Sequence, residues 1–141
     1  MFDLSLILPA LTLGISRRSG VPGSLQLAFD KNTNDKASVF AGSIFSLAAL
    51  SGYDTAVERR EQLGLRGDVY LVSSTIAYQQ PGMSDLFTKS EIVEDLVPTK
   101  RSNHKIRIRV KVLNQMNEKR CATFEGVYVL TSNGSGSGHE L

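Results

Sequence analysis

The chain has 141 residues, the length of one domain with a single core. Sixteen basic against 14 acidic residues leave a net charge of +2, too balanced for a charge-driven nucleic-acid binder. One cysteine (Cys121) excludes an intrachain disulfide, and two histidines (His104 and His139) without metal-ligand spacing exclude a zinc module and argue against a Ser-His-Asp hydrolase. Neither a metal nor a cofactor is expected.

Leu4, Ile7, Leu8 and Leu11 fall at helical spacing, which predicts a short amphipathic helix packed on the domain. A signal peptide fits worse, because the segment carries Asp3, lacks a basic start and has no small-residue cleavage site. Residues 15–18 add strand character before the turn Gly20-Val21-Pro22-Gly23, and residues 24–30 alternate as a strand. The turn-rich segment 31–35 then supplies capping residues for a helix over 38–63. Its first half is apolar on every side, with Val39, Phe40, Ile44, Phe45, Leu47 and Leu50, so it must be wrapped on every side. The uncharged run 37–53 is at the lower edge of a membrane span and holds Gly42, Gly52 and four serines, so a buried helix is predicted. From Asp54 to Gln62 the helix turns charged and is expected to emerge into solvent, ending at Gly64 and Gly67.

Four strands are predicted over 68–80, 86–96, 105–113 and 120–130, with a hairpin loop at 114–119. Residues 131–141 read as a flexible Gly/Ser tail, leaving 1–130 as the single domain. With no export signal and one free cysteine, a cytoplasmic protein is expected, with no membrane and no nucleic acid among its partners.

With a single long helix, the economical solution is an α+β fold in which a curved antiparallel sheet wraps around that helix. Ala41, Gly42, Ser43, Ala48, Ala49 and Gly52 keep the helix surface small enough for close contact. This is the hotdog fold.

The segment Asn34-Asp35-Lys36-Ala37-Ser38-Val39-Phe40-Ala41-Gly42-Ser43 resembles the start of the central helix in hotdog thioesterases. It is most similar to the thioesterase domain at the C-terminus of YiiD-type proteins, where Asn-Asp-Lys, a phenylalanine and a Gly-Ser pair recur. Tyr78-Gln79-Gln80-Pro81 is similar to the Tyr-x-x-Pro ending of the strand that follows. The resemblance covers roughly residues 4–130. It implies hydrolysis of acyl-CoA or acyl-carrier-protein thioesters at a site between one helix N-terminus and a partner chain. Two departures accompany it. Phe40-Ala41-Gly42 stands where many relatives carry His-Gly-Gly, and Ala49 stands where they often place an acid.

Backbone N–H groups at the helix start can polarise a thioester carbonyl. The resemblance puts the thioester there, so Phe40, Ala41, Gly42 and Ser43 are the candidate substrate contacts, with Gly42 allowing close approach. Gly42 serves equally well as a helix–sheet contact. Asp35 is a candidate to orient or deprotonate water, or else an N-cap. Asn34 is a candidate to hydrogen-bond the water or the carbonyl. Ser43 and Ser46 read equally as small spacers. Phe40, Ile44 and Phe45 read either as an acyl-pocket lining or as core.

Residues 100–111 hold six basic residues and no acid, with Lys105, Arg107, Arg109 and Lys111 on one strand face. They make either a solvated outer face or a landing site for coenzyme A phosphates or an acidic carrier protein. An exposed charged face favours a homodimer, with a higher oligomer as the alternative. The function that competes with hydrolysis is a non-hydrolytic acyl-thioester binding module partnering an acyltransferase, which the absence of an acid at Ala49 favours. A ligand-free architectural dimer needs only the fold.

Overall fold

The computed structural model describes residues 2–99 and 103–131. A short helix α1 (Leu8–Thr12) leads into strands β1 (Ile15–Arg17) and β2 (Leu25–Leu27), and then into the long helix α2 (Ala41–Gln62). Strands β3 (Val69–Tyr78), β4 (Leu86–Pro98), β5 (His104–Asn114) and β6 (Arg120–Leu130) complete the chain. They form one antiparallel sheet in the order β1-β2-β4-β5-β6-β3. The sheet curls around α2, an α+β hotdog fold.

Strict alternation on β5 makes the core. Ile106, Ile108, Val110 and Val112 are wholly buried beneath α2, each stabilising the fold by about 1.5–3 kcal/mol. Phe124 and Tyr128 of β6 extend this layer, and the Tyr128 hydroxyl donates to the Ala49 carbonyl at 2.6 Å. Gly52 makes that approach possible, since a Cβ there would collide with the Tyr128 hydroxyl. Register shifts at Leu71/Ser73, Ile92/Glu94, Glu94/Val97 and Val112/Leu113 provide the local twist that bends the sheet.

Several boundaries differ from the sequence reading. α2 begins at Ala41 rather than 38, because residues 34–38 close a tight turn flanked by a Thr33–Val39 bridge, with Ala37 left-handed at φ 57°. β2 stops at Leu27, since Phe29–Lys31 coils into a 3-10 turn whose Phe29 N–H is held by Asp85 Oδ1 at 2.8 Å. At the N-terminus a 3-10 turn (Leu4–Leu6) and an extended Ile7 interrupt the helical spacing. Leu4, Ile7 and Ala10 therefore pack on the core, while Leu8 and Leu11 face solvent.

Asp54 does not emerge into solvent as expected; it is completely buried. Arg17 of β1 grips it with two bonds, Nη1 to Oδ2 at 2.8 Å and Nη2 to Oδ1 at 2.7 Å, and the Gly23 N–H donates to Oδ2 at 2.7 Å. Arg17 also donates to the Phe2 carbonyl, tying the N-terminal segment to the helix. Hydrogen bonding to Asp54 raises the Arg17 pKa further, against the opposing effect of burial.

Beyond Thr131, the tail read over 131–141 lies outside the described residues, as do Lys100 and Arg101. Thr131 itself is buried, its N–H bonding the Asp68 carbonyl at 3.0 Å and its hydroxyl accepting from the Asp68 N–H at 2.9 Å.

Candidate functional site

The start of α2 forms one wall of a cleft of about 330 Å³. Asn34, Ser38, Ala41 and Ile44 stand on one side, and Tyr78 to Gly82 on the other. Two contacts hold the walls together: the Val39 N–H donates to the Gly82 carbonyl at 2.8 Å, and the Tyr78 hydroxyl donates to the Ala41 carbonyl at 3.1 Å. Burial raises the Tyr78 pKa, so at neutral pH the hydroxyl keeps the proton it donates. A Cβ at Gly82 would press on Val39, which explains the glycine after Pro81.

Asn34 organises the turn. Its Oδ1 accepts from the Lys36 N–H at 2.8 Å, the Ser38 N–H at 3.1 Å and the Ser38 hydroxyl at 3.2 Å. Those donors fix which end of the amide is oxygen. The Nδ2 group is left with no acceptor among the described residues, on a side chain that lines the cleft. Neither Asn34 nor Asp35 caps α2; the cap position is Phe40, which has no capping side chain. The N–H groups of Ser43 and Ile44 both turn back to the Phe40 carbonyl, at 3.0 and 3.2 Å. Those of Ala41 and Gly42 find no acceptor among the described residues, as the first turn of a helix requires.

The other sequence candidates are distributed unevenly. Asp35 is exposed, does not line the cleft, and among the described residues meets only Lys36 Nζ, at 3.3 Å. Phe40 is exposed at 57%, and its ring covers the Cα of Gly42, where a Cβ would collide with it. The space beside Gly42 is therefore occupied by Phe40. Ser43 is buried and outside the cleft lining. Ser46 donates back to the Gly42 carbonyl at 3.0 Å. Ile44 is buried at the cleft wall, and Phe45 packs edge-on against Phe124 with centroids 5.7 Å apart.

A second cavity, about 310 Å³ and almost wholly apolar, was not foreseen from the sequence. Ile7 and Leu13 close it on one side, Ala49, Leu50 and Tyr53 of α2 on another, and Leu71 of β3 completes the rim. On α2 its wall begins at Ser46, two residues beyond Ile44 of the cleft, or about 3 Å along the helix axis. Ala49 contributes a methyl group, and no acid, to this wall. No Asp, Glu, His or Cys lines either cavity among the described residues. Cys121 is buried away from both, and burial pushes its thiol up to about 11. No group of three or more His, Cys, Asp or Glu able to hold a metal exists among the described residues.

Two of the four outward cations of β5 are paired by its neighbours among the described residues. Arg107 Nε meets Glu94 Oε1 at 2.7 Å, and Arg109 bridges Glu91 and Glu125 at 3.5 and 3.3 Å. Those carboxylates come from β4 and β6, and alternation along β5 alone gives no sign of them. No helix among the described residues is long and apolar enough to cross a membrane.

Comparison with known proteins agrees with this geometry. A protein from Shewanella oneidensis described as a "putative thioesterase" superposes with a TM-score of 0.76 at 26% identity, covering 90% of each chain. A thioesterase from Haemophilus influenzae gives 0.73 at 12% identity over 96% of each chain. The E. coli PaaI protein of the phenylacetic acid degradation operon gives 0.66 at 20% identity, covering 91% of this chain and 88% of its own. No curated protein matches the sequence. The profile of the family described as "Putative thioesterase (yiiD_Cterm)" matches residues 9–132, and the chain belongs to that family.

Proposed function

We propose that the chain hydrolyses acyl thioesters, carried on coenzyme A or an acyl carrier protein, in the cleft at the start of α2. The observation that carries this reading is a preorganised pair of donors on residues that line one cleft: the Nδ2 of Asn34 and the N–H of Ala41, neither with an acceptor among the described residues. Donors fixed before the reaction stabilise the oxyanion of a tetrahedral intermediate without having to reorient. The carbonyl carbon is attacked by water, the C–S bond breaks, and the thiol leaves with a proton. The apolar cavity by Ala49 suits an acyl chain. In this reading Phe40 shields the substrate beside Gly42, and Ser43 fixes the helix turn through its N–H bond to the Phe40 carbonyl.

With no carboxylate in either lining, the base must reach the cleft from outside it. Asp35 is the proposed base, on an exposed turn adjoining Asn34. A second copy of the chain completes the site in this proposal. β3 is an edge strand whose outer side pairs with nothing among the described residues, and Leu71, Val72 and Tyr78 on it are exposed at 36%, 43% and 48%. An unprotected ten-residue edge is a template for pairing with an identical edge. A homodimer is the expected mass in solution.

The test is thiol release from a panel of acyl-CoA and acyl-carrier-protein thioesters, by the native chain and by Asp35→Ala and Asn34→Ala. Loss of about 10²-fold or more in kcat for Asp35→Ala supports the base assignment. Full turnover in that variant removes Asp35 from the mechanism. Tight binding of thioesters without any turnover overturns hydrolysis itself.

A further inference from the structure

The outer face of the sheet carries two adjacent charge rows that differ sharply. In the first, Glu91, Arg109 and Glu125 stand side by side across β4, β5 and β6 and are joined as ion pairs. In the next, Lys89 lies directly opposite Lys111, and Lys111 opposite Thr123, whose hydroxyl accepts from Arg120 Nη1 at 3.3 Å. No carboxylate lies within 4.0 Å of Lys89, Lys111 or Arg120 among the described residues. Like charges facing each other across a strand pair are destabilising, so this row carries a cost that the row beside it avoids.

The row is also directed. Thr123 Oγ1 lies 3.4 Å from Gln79 Oε1, and Gln79 lines the cleft at the start of α2. The cations therefore begin at the rim of the cleft and run away from it across three strands.

Spacing and surface chemistry narrow what could bind. Neighbouring strands are about 4.8 Å apart, close to the ~5–6 Å between side chains three or four residues apart on a helix. A helix bearing carboxylates at such intervals can meet successive cations along the row. Phe87, two residues from Lys89 on β4, is 1% exposed and lies under the Arg18 guanidinium, 3.6 Å from its ring centroid, so it offers a nucleotide base no open face.

We propose that Lys89, Lys111 and Arg120 form the docking row for an acidic helix of the carrier protein that presents the acyl thioester to the cleft. This rests on the thioester-hydrolase reading and selects, between its two carriers, the protein.

The experiment compares octanoyl-coenzyme A with octanoyl loaded on a purified acidic acyl carrier protein. The native chain is set against Lys89→Glu/Lys111→Glu and Lys89→Gln/Lys111→Gln, with far-UV circular dichroism confirming that each variant folds. For the carrier-protein substrate, kcat/KM should fall about tenfold in the Gln pair and further in the Glu pair. For octanoyl-coenzyme A it should stay within about twofold of the native value. Salt at 0.5 M should remove most of the native chain's advantage on the carrier-protein substrate, where exposed charges are screened within a few ångströms. Equal losses on both substrates would assign the row to coenzyme A phosphates and overturn the proposal, as would no loss on either. If neither thioester is hydrolysed, titrating the fluorescently labelled carrier protein with native and variant chains still decides. A tenfold weaker Kd in the variants upholds docking while the hydrolase reading falls. Failure of the native chain to bind the carrier, with octanoyl-coenzyme A still turned over, sinks docking alone.

Discussion

The Tyr78 hydroxyl, at the end of β3, donates to the Ala41 carbonyl at 3.1 Å and so fixes the far wall of the cleft to the first residue of α2. Removing it by Tyr78→Phe should cost no more than about 1 kcal/mol of stability, the usual net worth of one such bond. The effect on chemistry should be larger than on folding, because the wall positions the helix start. We expect a severalfold drop in kcat for thiol release with a melting temperature nearly unchanged. Unchanged kcat would show that the wall is positioned by the Val39–Gly82 bond alone.

Asp54 and Arg17 make the most consequential ion pair in the fold. The carboxylate is fully buried, while the guanidinium remains partly exposed at 24%. Asp54→Ala leaves the Gly23 N–H without its acceptor and the arginine with only the Phe2 carbonyl, at a cost of about 3–5 kcal/mol. A urea titration would read this directly. An Arg17→Met/Asp54→Leu double variant should recover much of the loss, since apolar residues of similar volume tolerate such a site. A double variant no more stable than Asp54→Ala would refute this account.

Gly52 and Tyr128 are coupled through space rather than through a bond. Gly52→Ala drives a methyl group into the Tyr128 hydroxyl and should destabilise by about 1–3 kcal/mol. Tyr128→Phe removes the oxygen that the methyl meets. The double variant should therefore lose less than the sum of the singles, a coupling measurable by denaturation. Strict additivity would mean that the helix shifts away instead.

Stability should fall at alkaline pH for a defined reason. Burial raises the pKa of both the Cys121 thiol, up to about 11, and the Tyr128 phenol. Well below the ordinary thiol range of about 8.5 both groups are neutral in either state, so their burial then carries no pH-linked penalty. Above that, the unfolded chain gives up protons that the native chain retains, and the native state loses ground as pH rises through about 9 to 11. Chemical denaturation midpoints across this range would show the decline. Cys121→Ala should flatten its lower part.

Much of the fold is legible in the sequence because burial writes a period into it. β5 alternates without exception, and its inward residues are the wholly buried ones. α2 is readable because a helix apolar on all sides must be enclosed. What is illegible depends on partners distant in the chain. Asp54 looks like the first residue of a solvated helix half, and Arg17, 37 positions earlier, together with the Gly23 N–H makes its burial tolerable. The cations of β5 likewise look unbalanced until β4 and β6 bring Glu91, Glu94 and Glu125 beside them. The site divides in the same way. Asn34 and Ala41 meet in one cleft, whereas Asp35, its neighbour in sequence, turns outward because three donors commit the Asn34 carbonyl to the tight turn. The cavity beside Ala49 has no sequence signature, being a gap between segments that are each ordinary.

The burial of Cys121 has a practical consequence. It is the sole cysteine of the sequence, and its thiol is enclosed and held protonated at neutral pH, so maleimide chemistry should pass it by. A cysteine introduced at an exposed position such as Lys119 would then be the single reactive handle on the molecule. Fluorophores or spin labels could be attached there without first stripping the native thiol, and distances between copies or to a carrier could be measured on an otherwise unaltered chain.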